Sequence, residues 1–194
     1  MIRSVFFILL GLIFSSCATS GRIVENKDAI NDIQGIKLTQ RLIAWSADDA
    51  MQASSQRSYS VSMIYLLEQK KNERPTLFLD LRVKQPLPSD KLDSVVFLSL
   101  DNEKISIEAN EYKEVSKSNT GSNQLRKRQF LIPENLWFPI FYSDEIEYRF
   151  YIGKEKIAVR LNRNETSKLK EYFSRAILLR DANLPPIPEG QKKW

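Results

Sequence analysis

A few groups of residues in this chain have the types and spacing that could do chemistry. Asp48-Asp49 and Asp144-Glu145 are adjacent acids, the raw material of a carboxylate pair acting on a glycosidic bond. Such a pair has to converge in one cleft, whereas neighbours on a strand point to opposite faces, and both pairs fall in segments that read as solvated turns. Neither has the alternating acids and turn glycine of a calcium loop. Ser167-Lys168-Leu169-Lys170 matches the S-x-x-K pattern of serine acyl enzymes and sits where a helix should start, but the S-D-N and K-T-G companions are absent. A match of this kind is expected by chance in a chain rich in Ser and Lys. Arg126-Lys127-Arg128 is the one dense cationic cluster, followed distantly by Lys192-Lys193. It could meet anionic lipid or polysaccharide, and it reads first as a charged strand edge that discourages unwanted pairing. Asn164-Glu165-Thr166 spells a glycosylation sequon.

The chain has no histidine and one cysteine, Cys17. Without histidine it lacks the commonest general base at neutral pH and the commonest transition-metal ligand. Ser-His-Asp triads, Cys-His pairs and Cys/His zinc sites are excluded, and with 6 glycines there is no phosphate-cradling loop. No catalytic residue, metal or cofactor is expected.

Cys17 ends an ordered series: a cation at Arg3, an apolar core from Val5 to Phe14, then Ser15 and Ser16. The core is about ten residues long, half of what a membrane-spanning helix needs. Phe14-Ser15-Ser16-Cys17 resembles the lipobox of bacterial lipoproteins, in the looser form familiar from spirochaete-type lipoproteins, with Phe14 where Leu is commonest. The resemblance implies cleavage before Cys17 and a diacylglycerol on its thiol, with the new amino group often acylated as well (a palmitate-type modification). Two or three chains, at roughly 0.8 kcal/mol per buried methylene, hold a protein of this size on a membrane. With Cys17 acylated, no free thiol and no disulfide remain. Ala18 follows the anchor, and by resemblance to lipoprotein sorting the absence of Asp there favours the outer membrane. Removing residues 1–16 takes away Arg3 and no acid, so 29 cations against 24 acids become 28 against 24, or +4. An exported chain this mildly basic, without an extended basic stripe, is not expected to bind nucleic acid.

With 42% hydrophobic and 27% charged residues the chain has the composition of one globular domain. Residues 17–35 are short of aromatics and read as a lipid-anchored tether, with one weak helical turn around Asp28 to Ile33. Residues 36–183 form the domain. Tyr59, Val61, Met63, Tyr65 and Leu67 are set against Ser58, Ser60 and Ser62, and Leu77, Leu79, Leu81 and Val83 against Phe78, Asp80, Arg82 and Lys84, across a polar turn at Lys70 to Pro75. This is the period of strands with one buried face, arranged as a hairpin. Leu92 to Leu100 reads as a strand covered on both sides, followed by a turn at Asp101-Asn102 and a strand with Ile105 and Ile107. Ile146 to Ile152 and Ile157 to Leu161 form a second hairpin about Gly153. Ile36, Leu38 and Leu42 to Trp45 fit a further strand, Ser116 to Asn123 a loop, and Pro133 to Ile140 a short helical turn.

Leu169, Tyr172, Phe173, Ala176 and Ile177 recur at helical spacing behind a cap at Asn164 or Thr166, placing an amphipathic helix near 165–180. The expected fold is mainly β: an antiparallel β-sandwich, immunoglobulin-like in layout, with one C-terminal helix. Residues 184–194, with three prolines, read as an extended tail.

The function this supports is a non-enzymatic, lipid-anchored envelope lipoprotein, a binding or scaffolding module held on the membrane at Cys17. Its contact surfaces would be the aromatics Trp137, Phe138, Phe141 and Tyr142, and Tyr148 and Tyr151, although aromatics in such positions more often fill the core. Partners would be an envelope protein or glycan. Two other classes stay open: a glycan-acting enzyme with a carboxylate pair, and a structural subunit of an envelope complex docked through its C-terminal helix or tail.

Overall fold

The computed structural model describes residues 21–28, 33–46, 58–71, 73–85, 91–111 and 124–182. Among them the strands are β1 (Arg22–Asp28), β2 (Ile33–Ser46), β3 (Ser58–Lys70), β4 (Thr76–Gln85), β5 (Leu92–Leu100), β6 (Glu103–Glu111), β7 (Gln124–Leu131), β8 (Ile146–Ile152) and β9 (Glu155–Arg160). A 3-10 turn (Glu134–Leu136) leads into a short helix, α1 (Trp137–Tyr142), and a long helix, α2 (Arg163–Ala182), follows β9.

Alternation sets the local structure. The odd-numbered apolar residues of β3 and β4 are buried and face each other across the hairpin, Val61 opposite Val83 and Leu67 opposite Leu77. Two-residue turns join β5 to β6 and β8 to β9. Asp101 and Asn102 hold φ of 45° and 78°, the left-handed conformation these turns need and that Asp and Asn tolerate best; Gly153 supplies it at 60°.

The strand order is β1-β2-β3-β4-β7-β6-β5-β8-β9, and β2 pairs again with β9 through Trp45↔Ala158 and Ser46↔Ile157. The sheet therefore closes, β2 to β9 making an eight-stranded antiparallel barrel with β1 on its outside edge. The expected mainly β fold with a C-terminal helix is present; the expected two-sheet, immunoglobulin-like sandwich is replaced by one closed sheet. The physical reason lies in β2. At 14 residues it is long enough to pair with β1 along its first half and with β9 at its last two residues.

Apolar side chains line the interior, from Leu38 and Met63 to Phe130 and Phe150, which is the reverse of a membrane-spanning barrel with its apolar outer band. No helix among the described residues is long and apolar enough to cross a membrane. The connections after β2, β4, β6 and β8 leave one end of the barrel. The other end is plugged by α1 and α2. There the Tyr172 and Phe173 rings lie 5.8 and 6.3 Å from that of Tyr65, and the Tyr172 hydroxyl donates to the Ile36 carbonyl at 3.3 Å. Burying each of these aromatic side chains contributes roughly 1.5–3 kcal/mol.

Helix α2 opens on a capping box. Asn162 Oδ1 accepts the N–H groups of Asn164 and Glu165 at 2.9 and 3.0 Å, while Glu165 Oε2 accepts the Asn162 N–H at 2.8 Å. The helix thus starts two residues before the expected 165, and the expected caps Asn164 and Thr166 lie within its first turn. Gln40 Nε2 ties this turn to the barrel by donating to the Glu165 carbonyl at 2.8 Å.

The tether expectation is corrected as well. Strand pairing begins at Arg22, opposite Thr39, and runs to Asp28, opposite Ile33, inside the segment read as a tether to residue 35. Most of the helical turn expected there, the leader with Cys17, the loop 116–123 and the tail 184–194 lie outside the described residues.

Candidate functional site

The alternation of side chains along β7 separates the cationic triplet. Arg126 and Arg128 stand opposite Val83 and Leu81, whose side chains point inward, so these two arginines lie on the inner face; Arg128 Nε donates to the Leu92 carbonyl at 2.7 Å. Lys127 points outward. β7 lies between β4 and β6, so the expected solvated edge is instead an interior strand of the sheet.

On the outer face Lys127 joins a row made by register alone: Arg41 of β2, Ser62 of β3, Arg82 of β4 and Lys127 of β7 are successive cross-strand neighbours. One step toward the loop end the row is Ile43, Ser60 and Lys84, and beyond it Trp45 faces Ser58. Ile43 is 70% and Trp45 53% exposed. One step toward the helical end lies Asp80, an acid that is 1% exposed although it points away from the core. Lys127 Nζ reaches its Oδ2 at 2.9 Å and Arg82 Nη2 the same oxygen at 3.3 Å, while Gln129 Nε2 donates to Oδ1 at 2.9 Å. The carboxylate therefore holds two of the four cations in place, and Arg41, Arg82, Lys84 and Lys127 exceed it by three charges. The surface is a cationic stripe floored by serines and bordered by an exposed tryptophan and isoleucine. It suits an anionic, partly apolar ligand.

The aromatics singled out in the sequence divide. Trp137 and Tyr148 are fully buried; the Trp137 indole N–H donates to the Ile132 carbonyl at 3.2 Å, and the Tyr65 hydroxyl donates to that of Tyr148 at 2.9 Å across the core. Burial raises the pKa of Tyr65, Tyr148 and Tyr172 far above the usual tyrosine range. Phe138 and Tyr142 are exposed on α1, their rings stacked 6.3 Å apart, with the Arg180 guanidinium 4.9 Å from the Phe138 ring. Tyr151 packs edge-on to Phe97 at 6.4 Å over a depression of ≈ 240 Å³ that Lys104, Arg149 and Lys156 also line.

The acids and the S-x-x-K match are tied up locally. Asp144 takes the Lys170 ammonium at 2.7 Å, which lowers its pKa, and Glu145 pairs with Arg160 at 2.7 Å. Lys170 is thus committed to Asp144, and Ser167 lies exposed on α2. Asp48-Asp49 and Lys192-Lys193 lie outside the described residues. Among the described residues no three Cys, Asp or Glu side chains gather where they could hold a metal ion.

Reading the sequence alone missed Arg41, Ile43, Trp45, Arg82 and Lys84. The usable signal was the run Ser58, Ser60, Ser62, a strand face without bulk beside strands whose outward positions carry cations; the register that aligns them spans separations of thirteen to forty-five residues. No protein-family model, curated protein or solved structure matches the chain.

Proposed function

We propose that this chain is a lipid-anchored lipoprotein of the bacterial cell envelope, non-enzymatic, its barrel serving as a binding or scaffolding module, with the outer membrane as its destination. The observation that carries the reading is the ordered N-terminal series of Arg3, a ten-residue apolar core, Ser15-Ser16 and Cys17. Support for a binding role comes from the outer face of the barrel, where four cations, a tryptophan and an isoleucine are held together on a rigid sheet. Asp80 already holds Arg82 and Lys127, so part of the ordering cost of this surface is met before a ligand arrives.

The test is expression of the full-length chain and its Cys17→Ser variant in a bacterium with the lipoprotein pathway, followed by fatty-acid labelling, intact mass and detergent partitioning. The wild type is expected to lose residues 1–16, gain acyl mass and enter the detergent phase, and Cys17→Ser to do none of these. Equal cleavage of both, with both staying aqueous, sinks the anchor.

A further inference from the structure

We infer that the cationic stripe and its Ile43-Trp45 border lie against the lipid bilayer, so that the barrel is held at a fixed orientation with the outer face of β2 on the anionic headgroups. The inference rests on the lipid-anchor reading of Cys17 and adds to it the face that meets the membrane.

Strand β1 begins at Arg22, five residues after Cys17. At no more than about 3.6 Å per residue these span at most roughly 18 Å. A domain of this size has a radius of gyration of about 15 Å. The anchor is therefore too short to let the barrel tumble freely, and the surface around Arg22 stays at the headgroups.

Arg22 lies opposite Thr39 of β2, and the next outward-facing positions along β2 are Arg41, Ile43 and Trp45. The stripe begins one outward position from the point at which the anchor reaches the fold.

Tryptophan is enriched at membrane interfaces, where its ring sits among the headgroups, and cations near an anionic leaflet attract it. An exposed isoleucine next to an exposed tryptophan is costly against water and favourable against acyl chains. The serines of β3 between the cation-bearing strands carry no bulk that would keep phosphates from Arg41 and Arg82.

The experiment uses the acylated protein purified from membranes and reconstituted into vesicles of phosphatidylethanolamine and phosphatidylglycerol carrying brominated acyl chains. Quenching of Trp45 is read as the difference between the wild type and a Trp45→Tyr variant. Most of the Trp45 emission is expected to be lost, and to return in the Arg41→Glu/Lys84→Glu variant or in phosphatidylcholine. In parallel, residues 17–194 carrying Cys17→Ser, made without the apolar leader and so unacylated, are expected to bind anionic vesicles roughly five-fold more weakly for each of Arg41 and Lys84 replaced by Ala, and unchanged for Lys104→Ala on β6. An acylated protein whose Trp45 is unquenched overturns the docking face and leaves the anchor standing. The same holds if the stripe binds a soluble anionic polysaccharide while Trp45 stays unquenched. A wild type without acyl mass overturns the anchor, and this inference with it.

Discussion

Asp80 shows how one side chain can take its role from partners far away in sequence. On β4 it occupies an outward position among Phe78, Arg82 and Lys84, a pattern that reads as a solvated face. Pairing with β7 brings Gln129 opposite Asp80 and Lys127 opposite Arg82, and these side chains close over the carboxylate. A desolvated carboxylate is tolerated only when its lone pairs are satisfied, and here it has three donors. Asp80→Asn keeps the shape and removes the charge. Because Arg82 and Lys127 retain 36% and 25% of their side-chain exposure, they fall back on water when the charge goes, and the loss is smaller than for a fully buried pair. The expected cost is about 1–3 kcal/mol, seen as a lower urea midpoint with an unchanged slope. An unchanged midpoint would mean that the cations hold their places without the acid. Nothing in the sequence near Asp80 marks it, since 47 residues separate it from Lys127.

At the level of elements, the sequence was most legible where a hydrophobic period runs uninterrupted. The β3–β4 and β8–β9 hairpins and the buried face of α2 follow directly from alternation or helical spacing. Strand β1 was invisible for the opposite reason: it lies on the sheet edge, none of its described side chains is buried, and no alternation marks it. The start of α2 was misread because Asn164 sits inside an Asn162-x-x-Glu165 box, and the earlier asparagine closes the reciprocal bonds. That box orders the first turn to which Gln40 donates. Replacing Asn162 by Ala leaves two N–H groups without their side-chain acceptor and is expected to cost about 1 kcal/mol, or roughly 2–4 °C in Tm for a chain of this length. Asn164→Ala, outside the cap, is expected to shift Tm by no more than about 1–2 °C by calorimetry, since exposed substitutions away from such features stay within about ±0.5 kcal/mol. Equal losses in both variants would contradict the assignment of the cap.

For the molecule as a whole, alternation specifies one buried face per strand, and it is satisfied equally by two stacked sheets or by one closed sheet. Only the two β2–β9 pairs and the helical plug decide between them, and neither leaves a periodic trace. The plug concentrates phenols in the core: Tyr65 and Tyr148 share a hydrogen bond, Tyr172 lies against Tyr65, and all three are buried. Burial disfavours the phenolate, so each pKa is raised in the folded state above the ordinary value of 10.0. A folded-state pKa above the unfolded one gives stability that is complete below the unfolded value and is lost as pH rises beyond it, because the unfolded chain releases protons that the fold retains. Three such groups give a slope of roughly 4 kcal/mol per pH unit above pH 10, against a total stability of about 5–15 kcal/mol. The barrel is therefore expected to unfold cooperatively within a few units above pH 10, with phenolate absorbance and loss of sheet circular dichroism rising together. The Tyr65→Phe/Tyr148→Phe double variant removes two of the three protons and leaves no hydroxyl of the pair unpartnered, so its slope should fall to about one third. A phenolate signal for these residues that is complete while the sheet signal persists would show that water reaches the phenols beneath α2, and the plug would then be open in solution.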